Sequence, residues 1–149
     1  MSVNVRSTEQ RVLDARRLLQ DEIDLWVASA NESGEVHLIP LSFAWDGAAL
    51  IMAAPERSLT VRNLRRAGRA RVAVGPTRDV VIVEGRVAFH RPEKEPELAE
   101  THATGSGFDS RTNDEPYMLI HLLPDRMQTW RTPQELPGRH IMRDGVWLA

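Results

Sequence analysis

The stretch Val36 to Trp45 restricts the possible folds more than any other part of the chain. Its side chains alternate strictly, with His37, Ile39, Leu41, Phe43 and Trp45 on one face of an extended strand and Val36, Leu38, Pro40, Ser42 and Ala44 on the other. The first face is bulky and belongs in a core. The second becomes small after Leu38, which either leaves room for something flat against the sheet or marks a solvent-facing edge. Asp46-Gly47 follows directly, a pair that reverses a chain tightly because glycine accepts positive φ. Ala49 to Ala54 then carries the chain back.

The same punctuation recurs. Asn31 to Gly34 separates Leu25–Ala30 from Val36, and Gly75 to Asp79 separates Arg69–Val74 from the long run Val80–His90. These links suit hairpins and not helical crossovers, so the strands pair antiparallel. The fold class is mainly β, a sheet closed into a small barrel with helices as appendages. Ser7-Thr8-Glu9-Gln10 forms a capping box that starts a helix running to about Gln20. A short helix is expected over Ser58 to Ala67, ended by Gly68, and a charged one over Glu93 to Ala103, broken or entered at Pro96. Thr104 to Pro116 reads as a mobile loop. Tyr117–Leu123 and Asp125–Thr132 read as two strands separated at Pro124, and Ile141–Leu148 as a last hairpin or an extended tail.

With 149 residues the chain is one domain, 1–149, large enough for its own core. The absence of cysteine excludes disulfides, iron–sulfur clusters and thiolate zinc sites, and a net charge of −2 argues against a nucleic-acid partner. No apolar run reaches membrane-spanning length, and Met1 to Arg6 lacks the apolar centre of a signal peptide. The expected location is the cytoplasm, with no membrane partner.

The stretch Arg57 to Arg66 carries the chemistry. With Ser58 as N-cap, the N–H groups of Leu59, Thr60 and Val61 are left unpaired by the helix and face an incoming anion. Arg62 lies one turn on, within reach of the same point. Two readings stand: a phosphate clamp, or an ordinary capped, arginine-rich helix. His37, His90, His102, His121 and His140 show no helical i, i+4 pairing for a metal site, and Ser42 and Ser58 lack a nucleophile-elbow context. No acid–base constellation identifies a catalytic residue. If the chain is an enzyme, a cofactor carries the reaction.

Taken together, His37-Leu38-Ile39-Pro40-Leu41-Ser42-Phe43-Ala44-Trp45-Asp46-Gly47, Ser58-Leu59-Thr60-Val61-Arg62-Asn63-Leu64-Arg65-Arg66, Ala70 to Val74 and Val83-Glu84-Gly85 resemble the pyridoxamine 5′-phosphate oxidase-like flavin-binding split barrels. The closer likeness is to the flavin/deazaflavin oxidoreductase branch. This resemblance implies a six-stranded antiparallel split β-barrel with peripheral helices, forming a homodimer with cofactor bound between subunits. It implies phosphate contacts at Ser58, Thr60 and Arg62 with Asn63 nearby, and ring contacts along Pro40, Leu41, Ser42 and Phe43. The implied activity is hydride transfer to or from a small organic substrate, with FMN as cofactor or coenzyme F420 as the alternative. A carrier of flavin, F420 or haem is the non-catalytic alternative, with His37, His90 or His121 as haem ligands. Departures are plain. Leu59-Thr60 replace an arginine–lysine pair, Val80 and Ile82 replace a glutamine and an arginine, and Arg139-His140 are adjacent where the oxidases have Arg-x-His. Vitamin B6 oxidation is therefore not the expected activity.

Overall fold

Residues 4–149 are described by a computed structural model; Met1 to Val3, part of the N-terminal stretch read above, lie outside the described residues. Helix α1 (Thr8–Asp21) starts where Ser7 Oγ accepts the Gln10 N–H at 3.1 Å, and it buries Val12, Ala15 and Leu19. The strands are β1 (Asp24–Ala30), β2 (Val36–Trp45), β3 (Leu50–Pro55), β4 (Arg69–Val74), β5 (Val80–His90), β6 (Tyr117–Trp130), β7 (His140–Arg143) and β8 (Val146–Trp147). Helix α2 (Leu59–Ala67) joins β3 to β4, and α3 (Pro96–Ser106) joins β5 to β6.

All pairings are antiparallel, in the order β3-β2-β1-β4-β5-β6-β7-β8, and a further β3–β6 pairing closes the first six strands into a barrel. This is the expected six-stranded architecture with a small terminal hairpin added. The β2 face carrying Phe43 and Trp45 points inward, joined by Leu25, Val27, Leu50 and Met52 in the core. Outside the barrel, α3 lays Ala99 over Ile51, Ala53 and Leu119. Among the described residues no helix is long and apolar enough to cross a membrane.

Two sequence expectations change. Pro124 does not separate two strands: β6 runs through it, because the register slips there. Glu84 faces Arg126 but Gly85 faces Pro124, so Asp125 bulges out of the ladder. A proline lacks the N–H that a regular ladder would use, and a bulge is where that loss is tolerated. The second change is in the supposed mobile loop. Its first residues, Thr104 to Ser106, complete α3, Gly107 caps the helix at φ 76°, and Ser106 and Ser110 are buried.

The outer end of the barrel is tied by ions. Arg6 grips the Glu135 carboxylate through Nε at 2.9 Å and through Nη2 at 2.8 Å, and its Nη1 reaches Asp14 at 3.1 Å. Arg11, itself buried, donates to the Glu135 and Gly138 carbonyls. The Arg6 side chain, followed by backbone N–H groups of Arg6 and Arg131, outweighs the cost of burial and holds the Glu135 pKa down to about 2.

Gly85→Ala places a methyl group 1.9 Å from the Leu123 carbonyl oxygen, against backbone that cannot rotate away. Denaturant unfolding should show a loss of about 2–4 kcal/mol, or no folded protein. Glu135 gives the second expectation. A carboxylate depressed in the folded state stabilises fully above its unfolded pKa, near 4.5, and loses that contribution as pH falls toward 2. Relative to Glu135→Gln, the native chain should hold an advantage on the order of 3 kcal/mol at neutral pH. Urea titrations at stepped pH should show that advantage shrinking across this acid window.

Candidate functional site

The outward side of β1, β2 and β4 forms an open groove. Alternation along β1 buries Leu25 and Val27 and turns Trp26 out, where it stays 51% exposed. Opposite it in the ladder stand Pro40 on one side and Ala73 on the other. These residues, with Leu41, Ser42 and Gly75, line a cavity of about 700 Å³ whose end is acidic at Glu22 and Asp24. An indole and a proline ring give flat walls, and Ala73 and Gly75 leave the space open. Ser42 Oγ donates to Asp24 at 2.9 Å, which fixes the hydroxyl. Beside the groove, where α3 packs on the same outward side of β2, His102 is fully buried, with Nε2 3.4 Å from the Ser42 carbonyl, and burial pushes its pKa down, which favours the neutral ring.

The helix start is built as the sequence suggested. Ser58 Oγ accepts the Val61 N–H at 3.2 Å and Gly68 closes the helix at φ 73°. Thr60 is 1% exposed, and its hydroxyl has no hydrogen-bond partner among the described residues. Arg62 is exposed and makes no ion pair there. Asn63 is buried and donates to Ser29 Oγ at 3.1 Å, so its role is at least partly to fasten α2 to β1. The neighbouring arginines are committed to the fold. Arg65 lies 4.9 Å over the Phe89 ring, Arg66 donates to the Ala30 carbonyl, and Arg69 forms a two-pronged pair with Asp125 at 2.8 and 2.9 Å.

The structure therefore brings the expected residues together in two groups. Pro40, Leu41 and Ser42 share the groove; Ser58, Thr60, Arg62 and Asn63 lie at the start of α2, with Thr60 and Asn63 on its buried face and Arg62 on its exposed one. Phe43 joins neither, since its ring lies wholly in the core and its N–H donates to the Ile23 carbonyl. The groups also lie on opposite sides of β1, because Ser29 shares its face with Val27 and Trp26 faces the other way. Sequence reasoning missed Trp26, Asp24 and Ala73. The signal for Trp26 was its parity, out of phase with Leu25 and Val27 in a strand with one buried face.

A closed antiparallel barrel with an outward, flat-walled groove and a capped helix start is the frame of a split-barrel cofactor-binding protein. The chain belongs to the pyridoxamine 5′-phosphate oxidase family, whose model matches residues 14–131. No curated protein matches it by sequence. Among solved structures it is similar to a heme binding protein from Mycobacterium smegmatis (16% identity, TM-score 0.73), covering 96% of this chain and 60% of that one. It also resembles a FAD-binding protein from Mesorhizobium loti (18% identity, TM-score 0.64), covering 78% and 89% of the two chains. An F420 reductase aligns at 17% identity and TM-score 0.60, over 75% and 94%. At such identities these likenesses concern the fold, and the chain spans only 60–64% of the length of the first two similar structures.

Thr60→Val keeps the shape and removes the unpartnered hydroxyl. The folded chain should gain about 1–2 kcal/mol in denaturant unfolding, the desolvation cost of a buried unpaired group. An unchanged or lower stability would show that the hydroxyl is satisfied in the native state.

Proposed function

We propose that the chain is an FMN-binding oxidoreductase exchanging hydride with a small organic substrate. The observation that carries this reading is the flat-walled groove at Trp26, Pro40 and Ala73 in a chain of this family. The flavin ring, when bound, supplies the redox chemistry. The chain's own residues would do the rest. Trp26 and Pro40 offer faces for stacking, and the fixed Ser42 hydroxyl retains a lone pair to accept from a ring N–H. Arg62 supplies the cation that a phosphate calls for, beside the unpaired N–H groups of the first turn of α2, with the Thr60 hydroxyl buried on the face behind them.

A homodimer belongs to the same proposal. Val36, Leu38 and Trp26 are 78%, 57% and 51% exposed on one continuous outward face, more apolar surface than an isolated sheet usually leaves bare. The groove and the helix start face opposite sides of β1, so a second copy is the simplest way to place both kinds of contact on one cofactor. A cytoplasmic location goes with this reading.

Coenzyme F420 is the second reading, supported by the fold-level likeness to an F420 reductase. Its acidic tail asks for free cations, and Arg65, Arg66 and Arg69 are already engaged within the fold. That favours FMN. A non-catalytic carrier of a flavin or of haem, the latter suggested by the fold-level likeness to the Mycobacterium smegmatis heme binding protein, differs in having cofactor but no turnover.

Titration of the purified chain with FMN, F420 and haem, followed by absorbance and flavin fluorescence, separates these readings. Saturable FMN binding is expected, weakened in Trp26→Ala, and in Arg62→Ala by about 1–3 kcal/mol, the scale of a charge-assisted hydrogen bond. No FMN binding at micromolar concentrations would overturn the proposal, and preferential F420 or haem binding would replace it. Sedimentation of Leu38→Glu against the native chain tests the dimer.

A further inference from the structure

His90 and His121 are far apart in the chain, and no spacing rule pairs them. The β5–β6 register does: Ala88 faces His121 and His90 faces Leu119, so the two histidines are diagonal neighbours on one outward face. Their ring centroids are 6.0 Å apart with the rings tilted by 59°. Both line a cavity of about 360 Å³ under the start of α3, together with Glu95, Glu97, Leu98 and Thr101. His121 Nε2 is buried and has no hydrogen-bond partner among the described residues, an expensive condition for a ring nitrogen. The Glu95 and Glu97 carboxylates are exposed and make no ion pair or side-chain hydrogen bond among those residues.

We propose that His90 and His121 form a two-histidine site for a borderline divalent cation such as Zn²⁺, completed by a carboxylate of the α3 start and by water. The separation decides what can sit there. An imidazole nitrogen binds such an ion at about 2.0–2.1 Å, which puts the ring centre roughly 3.2 Å from the metal. Two such rings are then roughly 5.2 Å apart at a tetrahedral angle and roughly 6.4 Å apart in line. The observed 6.0 Å corresponds to an angle of roughly 140° at the ion, so the rings close by under about 1 Å to reach the tetrahedral value. No group of three ligating side chains is already gathered among the described residues, so the third ligand must swing in. Glu97, in the first turn of α3 and on the same cavity, has the freedom to do so. The strands place the two histidines side by side; the helix start supplies the charge. This site is independent of the groove and of the proposed flavin.

Calorimetric titration of the intact chain with Zn²⁺ alone, and Co²⁺ absorption as a geometric probe, test the site. One ion per chain is expected at micromolar affinity, weakened at least about tenfold in His90→Ala and in His121→Ala. Glu97→Gln, an exposed change that leaves the fold intact, should weaken it several-fold. Circular dichroism of each variant separates loss of the site from loss of the fold. Absence of saturable binding below millimolar Zn²⁺, or binding undiminished when both histidines are replaced, overturns the proposal.

Discussion

The close approach of Gly85 to the Leu123 carbonyl is the constraint on which the rest of the structure depends. β6 changes neighbours along its length: its first half pairs with β3 and β5, its second with β5 and β7. A strand that leaves one ladder for another must bend, and the bend needs a place where two backbones can nearly touch. Gly85 supplies that place because it has no Cβ, and Pro124 supplies a residue that asks for no ladder hydrogen bond. The residue extruded by the bend, Asp125, is held by Arg69 at the start of β4. Gly68, just before it, accepts the Val87 N–H at 3.1 Å. The bend that closes the barrel is thus tied to the end of α2, and through that short helix to the turn carrying Ser58, Thr60 and Arg62.

The groove depends on the other side of the same economy. Leu25, Val27 and Phe43 are buried because they line the barrel, and strict alternation then forces Trp26, Leu38 and Pro40 outward. A large indole left half exposed forgoes on the order of 1–2 kcal/mol of burial that a ligand or a second copy would recover. His102 lies 3.4 Å from the Ser42 carbonyl on the groove's own side of β2, and a Cβ at Gly105 would meet that of Ala44 at 2.6 Å. α3 is therefore packed closely along β2 and bounds the groove beyond Ser42.

Much of this was legible. Hairpin chemistry at Asp46-Gly47, alternation along β2 and the Ser58 cap each have one dominant physical reading, and they locate the barrel and the helix start. The misreadings share a cause: one residue type serves two purposes that sequence does not separate. Pro124 can end a strand or sit at its bulge, and the choice is made by Gly85, distant in the chain. Gly105-Ser106-Gly107 can signal flexibility, yet here Gly105 permits close packing and Gly107 permits a left-handed cap. Arg62, Arg65, Arg66 and Arg69 look alike on paper. Only the folded chain shows that three of them contact Phe89, Ala30 and Asp125, and that Arg62 makes no ion pair among the described residues. The pairing of His90 with His121 follows from register alone, which no local pattern encodes.

The buried polar groups divide in a way that bears on function. Glu135, Arg6 and Arg11 form a network in which each is hydrogen-bonded, so removing any member would strand the others; this is the mark of a group retained for structure. Thr60 and His121 are different, since each buries a polar atom that has no partner among the described residues, a condition that His102, Ser110, Thr132 and His140 share. Such a group costs about 1–3 kcal/mol against a total stability of about 5–15, a sizeable fraction to leave unrecovered. An apolar residue of the same shape would remove the cost at once. What sets Thr60 and His121 apart from those four is position: one lies at the start of the helix proposed to meet a phosphate, the other on the cavity proposed to hold a cation.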